Sequence, residues 1–433
     1  MPKLRAPRGT YDVLGEQATA RATVEARARA ILEGAGYERI ETPTFEATEL
    51  FARGVGGSTD IVQKEMYTLT DGSGRSLTLR PEGTAPVCRA YVEHGMHKRP
   101  QPVKLWYLSS FFRYERAQAG RYRQFWQVGA EALGSEDPAV DAESIVLLRT
   151  LLAELGVSAR LRISSLGSHD SRAEHRERLQ AHLREHEASL SAEVKGRIEL
   201  NPLRAFDSDH EGTRAVMRSA PRLLDHLDEE DRAHFEEVCA LLEEADVAYE
   251  VDTSLVRGLD YYTRTVFEFT SEELGAQSGV GGGGRYDGLV EKLGGPATPG
   301  MGWAAGVERI LLAGTPPAAV ATAPDVYVAW KDLKEPPLRG AANGGDSDWP
   351  RADLRRVAFG VLREARSAGL AAQMELAGRS LKGQMGQAVK MGARFVAIVG
   401  EGETVLKDMQ GGEQEAITTD TVVHTVLRRL REL

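Results

Sequence analysis

Apolar and polar positions change period along this 433-residue chain, and the changes predict its elements. From about residue 18 to 36 the spacing is helical and the run ends in EGAGY, a stop signal. Short strand-like runs follow: RIETPTF, MYTLT, SLTLR, KLWYLS and FWQVGAEALG. Hairpin-type turns such as DGSG separate them and few helices intervene, so an antiparallel sheet is expected and not a βαβ array. Residues 139–155 read as one apolar-periodic helix. Residues 168–250 are helix-rich, charged and histidine-containing, and they interrupt the sheet before strands resume, among them TRTVFEF with its strict alternation. After the Pro/Ala-rich linker GTPPAAVATAP the pattern runs β, α, β, α, β, α, the mark of a small mixed or parallel sheet with helices. Three domains are therefore expected: 1–167 together with 251–320, a helical insertion at 168–250, and 325–433. Within the last, the Gly, Pro and Asp-rich stretch near 331–352 is expected to be a long loop.

Composition narrows the class. With 42% hydrophobic and 27% charged residues this is a soluble globular chain with room for substantial cores. No run of about 18 apolar residues occurs and MPKLRAPRGTYDVLG has no apolar signal core, so a cytoplasmic protein without membrane segments is expected. Cys88 and Cys239, far apart, make neither a disulfide framework nor a zinc site. The net charge of −10 argues against nonspecific coating of nucleic acid. It is unevenly spread: residues 325–433 carry 16 Lys plus Arg against 15 Asp plus Glu, so local basic clusters must carry any phosphate contact.

Three stretches could carry chemistry. Gly279, Gly281 and Gly284 match the letters of a dinucleotide fingerprint, but no buried strand leads in and the following helix is short, so a pocket wall or a turn is the better reading. LVRGLDYYTRTVFEF sets Arg257, Asp260, Tyr261 and Tyr262 at the mouth of a strand, where a turn would suffice structurally. FFRYERAQAGRYRQFWQVGAE is far more specific. Its loop bears Arg113, Arg116, Arg121 and Arg123, with Phe125 and Trp126 beyond, and such a hairpin can grip phosphate oxygens and cover a base.

That hairpin resembles motif 2 of the class II aminoacyl-tRNA synthetases. GYERIETPTFE, with Pro43, resembles motif 1, and GMGWAAGVERIL, with Arg309, resembles motif 3. RPEGTAPVCRAY, LVRGLDYYTRTVFE and GGGGRYDGL are similar to signatures of the histidyl-tRNA synthetases, and the likeness spans the chain apart from the helical insertion and the 331–352 loop. It implies an α+β fold: an antiparallel sheet flanked by helices, a helical insertion, and a C-terminal α/β anticodon-binding domain. It also implies ATP-dependent joining of L-histidine to tRNA(His) through a histidyl-adenylate, with Mg²⁺ assisting and a homodimer formed through motif 1.

The resemblance assigns roles by position. Arg113 would bind the ATP α-phosphate and the amino acid's carboxylate, Arg309 the γ-phosphate, and Phe125 would stack on adenine, with Arg121 in the same ATP set. Glu82, Gly83, Thr84 and Gln127 would hold the α-amino end. Glu131 and Tyr262 would read the imidazole nitrogens, Tyr261 and Tyr286 would line the pocket, and Arg257 would be the catalytic arginine. Ligands for Mg²⁺ are not assignable. Trp303 replaces the phenylalanine more usual in motif 3, and the 331–352 loop is longer than the family pattern. These roles suit the reaction, since a carboxylate attacking an α-phosphorus needs fixed cations and no strong base. A site that hydrogen-bonds both imidazole nitrogens rejects apolar analogues by roughly 10⁴ or more, which makes an editing domain unnecessary. The rival reading is a synthetase-like regulatory subunit of histidine biosynthesis; such paralogues lose the ATP arginines and the C-terminal domain.

Overall fold

The computed structural model describes residues 3–57, 59–116, 118–255, 259–275, 278–315, 323–331 and 354–432, so Arg257 and nearly all of the 331–352 loop lie outside the described residues. The chain divides into two compact units, Met1–Ala319 and Val320–Leu433.

In the first unit the strands are β1 (Glu38–Arg39), β2 (Phe45–Ala47), β3 (Tyr67–Thr70), β4 (Ser76–Leu79), β5 (Val103–Phe112), β6 (Gln124–Leu133), β7 (Arg160–Ser165), β8 (Tyr249–Val251), β9 (Thr263–Thr270), β10 (Gly279–Arg285) and β11 (Gly300–Gly306). Eight of them form one sheet in the order β1-β5-β6-β11-β10-β9-β7-β8, while β2-β4-β3 make a small sheet of their own. Pairing is antiparallel except at the two outer pairs, β1–β5 and β7–β8. The expected single strand RIETPTF is divided between the two sheets. Pro43 has no N–H to give a ladder, and the carbonyls of Thr42 and Pro43 turn instead to the Arg80 guanidinium at 2.6 and 3.4 Å.

Period-2 alternation sends successive side chains of the large sheet into different cores. Trp106, Val128, Ala130, Met301, Trp303 and Phe267 join the cluster covered by the helices Glu16–Gly34, Pro138–Glu154 and Glu229–Glu244. Trp303, the motif 3 departure, is thus core, 2% exposed. Tyr107, Phe111, Tyr261, Tyr262 and Tyr286 belong to a second cluster with the helix Thr84–Glu93, and that cluster carries the site. Helix Pro138–Glu154 starts where Asp137 accepts from the Ala139 N–H at 2.9 Å with Pro at its first turn.

The helical stretch after β7 is not one body. Leu179, Leu183, Leu190, Val194, Ile198 and Val216 make a core of their own, whereas Phe235, Val238 and Leu242 of helix Glu229–Glu244 belong to the core behind the large sheet.

In the second unit β12 (Val326–Trp330), β13 (Ala372–Met374), β14 (Phe395–Val399), β15 (Thr404–Asp408) and β16 (Gln414–Ile417) order as β13-β12-β14-β15-β16. The first three are parallel and the last two antiparallel. Helices Leu354–Ser367 and Val422–Arg431 cover one face and Leu381–Lys390 the other. The hairpin β15–β16 was not among the expected strands. Its strands are short and half polar, and Asp408 builds the turn by accepting from the N–H groups of Gln410 and Gly411 at 2.8 and 2.9 Å.

Candidate active site

Two adjoining cavities open on the site face of the large sheet. The larger, about 590 Å³, is walled by Arg113, Arg121, Phe125, Arg309 and the backbone of β10 from Gly279 to Gly281. The smaller, about 170 Å³, is walled by Glu82, Gly83, Thr84, Tyr107, Tyr261 and Tyr262. Arg113, Gln127 and Ala304 line both, so the two compartments meet there.

The larger compartment is cationic by construction. Arg113 follows directly on β5; its Nε donates to the Pro81 carbonyl at 2.8 Å, and its guanidinium lies 5.4 Å from the Phe125 ring centre. Arg309, in the helix Val307–Ala313, donates Nε to the Gly279 carbonyl at 2.5 Å. Burial, and after it the neighbouring charge of Arg121, lowers the Arg309 pKa, so an anion placed between them relieves repulsion. Glu115, Glu268 and Glu308 are the wall carboxylates, Glu115 ion-paired to Arg121 at 3.2 Å. Glu308 accepts from the Trp126 N–H at 3.0 Å and from Tyr11 and Arg21 at 3.1 and 2.5 Å, which ties the N-terminal segment to the hairpin β5–β6. The glycine run is a central strand, antiparallel to both neighbours, and serves as a flat wall.

The smaller compartment is lined by polar groups already held in place. Glu82 accepts from the N–H groups of Thr84 and Ala85 at 2.8 and 3.0 Å, at the start of helix Thr84–Glu93, and from the Tyr261 hydroxyl at 3.3 Å. Burial raises its pKa against those hydrogen bonds and the charge of Arg113. Beneath the wall Glu131 is wholly buried and receives the hydroxyls of Thr84 at 2.8 Å, Tyr107 at 3.3 Å and Tyr286 at 2.7 Å. Burial pushes its pKa up to about 8 despite the three donors. Room for these side chains comes from glycines opposite them in register, Gly302 facing Glu131 and Gly129 facing Tyr107. A Cβ on Gly302 would stand 1.7 Å from the Glu131 carboxylate, and one on Gly129 would stand 2.3 Å from the Tyr107 ring.

Of the residues expected from sequence, Arg113, Arg121, Phe125 and Arg309 come together in the larger compartment; Glu82, Gly83, Thr84, Gln127, Tyr261 and Tyr262 come together in the smaller. Glu131 and Tyr286 form the layer beneath, and Arg257 is outside the described residues. Sequence reading missed Tyr107, which looked like an ordinary strand residue in KLWYLS, and Glu308, which sits beside Arg309. A tyrosine with glycine across the ladder was the available signal for the first. Among the described residues no cluster of three or more His, Cys, Asp or Glu could hold a metal.

This sheet order, with a cationic hairpin facing a strand–helix unit that carries Arg309, defines the catalytic core of a class II aminoacyl-tRNA synthetase. A family model described as histidyl-tRNA synthetase matches residues 9–310, and the chain belongs to that family. It is 46% identical to the histidine--tRNA ligase of Desulforamulus reducens over 423 residues, 96% of this chain and 97% of that one. It is also 46% identical to that of Pelotomaculum thermopropionicum over 438 residues, 98% and 97% of the two chains. The apo histidyl-tRNA synthetase of S. aureus shares its fold with a TM-score of 0.79 at 34% identity, covering 98% of this chain and all of that one.

Proposed function

We infer that this protein is the ligase that activates L-histidine with ATP and transfers it to tRNA(His). The observation that carries the reading is the meeting of a cationic compartment and a carboxylate- and phenol-lined one at Arg113 and Gln127. ATP occupies the larger, with adenine against Phe125 and the γ-phosphate at Arg309. Histidine occupies the smaller, its amino end at Glu82, Thr84 and Gln127 and its imidazole toward Tyr262 and the buried Glu131. The carboxylate of histidine attacks the α-phosphorus, the bond to the bridging oxygen breaks and pyrophosphate leaves; the tRNA 3′-terminal ribose hydroxyl then attacks the histidyl carbonyl and AMP departs. Arg113 neutralises the charge of the two anions at the junction, and Arg257 shares that role on the family resemblance alone. Mg²⁺ would be held here chiefly by the phosphates of ATP, with Glu115 and Glu268 the carboxylates in reach on the wall, and would offset the negative charge of the polyphosphate.

The same reading makes 1–167 with 251–320 the catalytic domain, 168–250 an insertion, and 325–433 the anticodon-binding domain. The enzyme is a homodimer in the cytoplasm; among the described residues no helix is long and apolar enough to cross a membrane. The regulatory-subunit reading is disfavoured because Arg113 and Arg309 both line the cavity and the second unit is present. Pyrophosphate exchange run with each of the twenty amino acids tests the assignment: only histidine supports it, and exchange with another amino acid alone overturns it.

A further inference from the structure

Of the three tyrosines that wall the smaller compartment, Tyr261 and Tyr262 stand at the entrance of β9, where residues 260–262 form no regular element. What fixes it comes from outside the sheet. Arg172, in the first turn of helix His169–Glu185, reaches back and donates Nη1 to the main-chain carbonyl of Tyr262 and, at 3.4 Å, to that of Asp260. The guanidinium is partly buried and its hydrogen bonds run to main-chain oxygens, with the charge of Asp260 nearby. One planar, always-charged group thus holds the peptide units on either side of Tyr261–Tyr262.

The far end of the stretch is anchored to the same helical region. Arg264 adopts a left-handed conformation at φ 42°, unusual for a side chain in a strand, and exchanges hydrogen bonds with Leu166 and Gly167 at 2.7 and 2.8 Å. Its Nε donates to Asp231 at 2.9 Å, and Asp231 also accepts from the Ser168 N–H at 2.6 Å. Residues 166–172 therefore hold the backbone of residues 260–264, and Asp231, further along the helical segment, holds the Arg264 side chain.

We propose that Arg172 is a positioning residue for histidine: it fixes the backbone that aims the hydroxyls of Tyr261 and Tyr262 into the pocket, and through it the helical insertion sets affinity for the amino acid without touching it. The inference rests on the histidine site proposed above. Arg176, one turn further along the helix, supplies the contrast. It lines the same surface cleft but donates to the carbonyls of Glu199 and Leu200, within the insertion itself.

The test is histidine- and ATP-dependence of pyrophosphate exchange in the full chain carrying Arg172→Met, Arg172→Lys or Arg176→Met, with thermal melts alongside. Misplacing recognition groups by about 1 Å costs up to roughly 100-fold, so Arg172→Met is expected to raise KM for histidine by about 10- to 100-fold. KM for ATP stays within about twofold, Arg172→Lys falls between, and Arg176→Met leaves both constants near the unaltered values. Because Arg172 acts through Tyr262, Arg172→Met and Tyr262→Phe combined are expected to cost little more than the worse single change. Additive losses, equal losses for ATP and histidine, or an unchanged KM for histidine overturn the proposal. If Arg172→Met fails to fold, Arg172→Lys decides by the same split between the two KM values. Absence of histidine-dependent exchange in the unaltered chain would overturn the proposed function and this inference with it; normal exchange with an unmoved Arg172→Met would overturn the inference alone.

Discussion

Tyr286 donates its hydroxyl to Oε2 of Glu131 at 2.7 Å, and neither side chain is more than 1% exposed. The pair gives Glu131 a stability signature. Its pKa is about 8 in the folded chain, against about 4.3 for a free glutamate, so the folded state holds the proton more tightly than the unfolded one. The stability this proton confers is complete below about pH 4 and is lost as pH rises through about 8. Glu131→Gln does not titrate. Its melting temperature relative to the unaltered protein is expected to climb by a few degrees between pH 5 and 9, while histidine-dependent exchange falls sharply at every pH. A constant difference across that range, followed by differential scanning calorimetry, would remove the buried-proton account.

Gly302 is the position least able to accept a side chain. A Cβ there would lie 1.7 Å from the Glu131 carboxylate, inside any possible contact, and β6 and β11 are both interior strands that cannot move aside. Gly302→Ala is expected to displace Glu131 from its three hydroxyl donors and to destabilise the fold by about 2 kcal/mol or more. Denaturant melts give the stability, and KM for histidine rises more than KM for ATP in whatever folded fraction remains. Full stability with normal histidine affinity would show that the strands open to admit the methyl.

Much of this site was legible in the sequence because its chemistry is local. Arg113, Arg121 and Phe125 lie on one hairpin whose strands announce themselves by alternation, so their convergence needs only a turn. Other parts were not legible, for two physical reasons. Tyr107 meets Glu131 across the β5–β6 pair through a register that no single segment reveals, and the glycines that make room for the two look like any others. The Arg172 contact joins residues 88 and 90 positions apart, across an insertion whose charged, amphipathic helices read as a separate body. Strands were misread where polarity was high: β15 and β16 lack an apolar run, and Pro43 breaks one expected strand into two.

A buried ionic cluster behind the site offers a separate test. Asp141 and Arg285 are both fully buried and ion-paired, and His234 stands 2.9 Å from the same carboxylate. Burial alone would raise the Asp141 pKa, but the His234 hydrogen bond and the Arg285 charge outweigh it and hold it below the usual range. Removing the carboxylate leaves the buried Arg285 charge with Asp287, at 3.4 Å, as its remaining acidic partner, one residue before Tyr286. Asp141→Ala is therefore expected to cost about 3–5 kcal/mol in urea unfolding. A loss under about 1 kcal/mol would mean that the cluster rearranges around water.

The last prediction separates the two units. Each hydrophobic cluster draws its residues from one side of the GTPPAAVATAP stretch, residues 314–324: those of the large sheet end at Ala313, and those of the second unit begin at Val326. The lining residues of both compartments of the candidate site also come from the first unit. The chemistry of adenylate formation therefore has no structural need for residues 323–433, whereas the proposed reading gives those residues the anticodon. Their near-neutral charge, against the acidic remainder, is compatible with an RNA-facing role carried by local cations. A chain ending at residue 315 is expected to keep histidine-dependent pyrophosphate exchange within a few fold. Its aminoacylation of tRNA(His) should fall by roughly 100-fold or more, mainly through KM for tRNA, as when a large phosphate-contacting surface is removed. Circular dichroism and a melt confirm that the shortened chain is folded. Equal loss of exchange and aminoacylation in a folded protein would refute the division of labour, and undiminished aminoacylation would move the tRNA contacts onto the first unit.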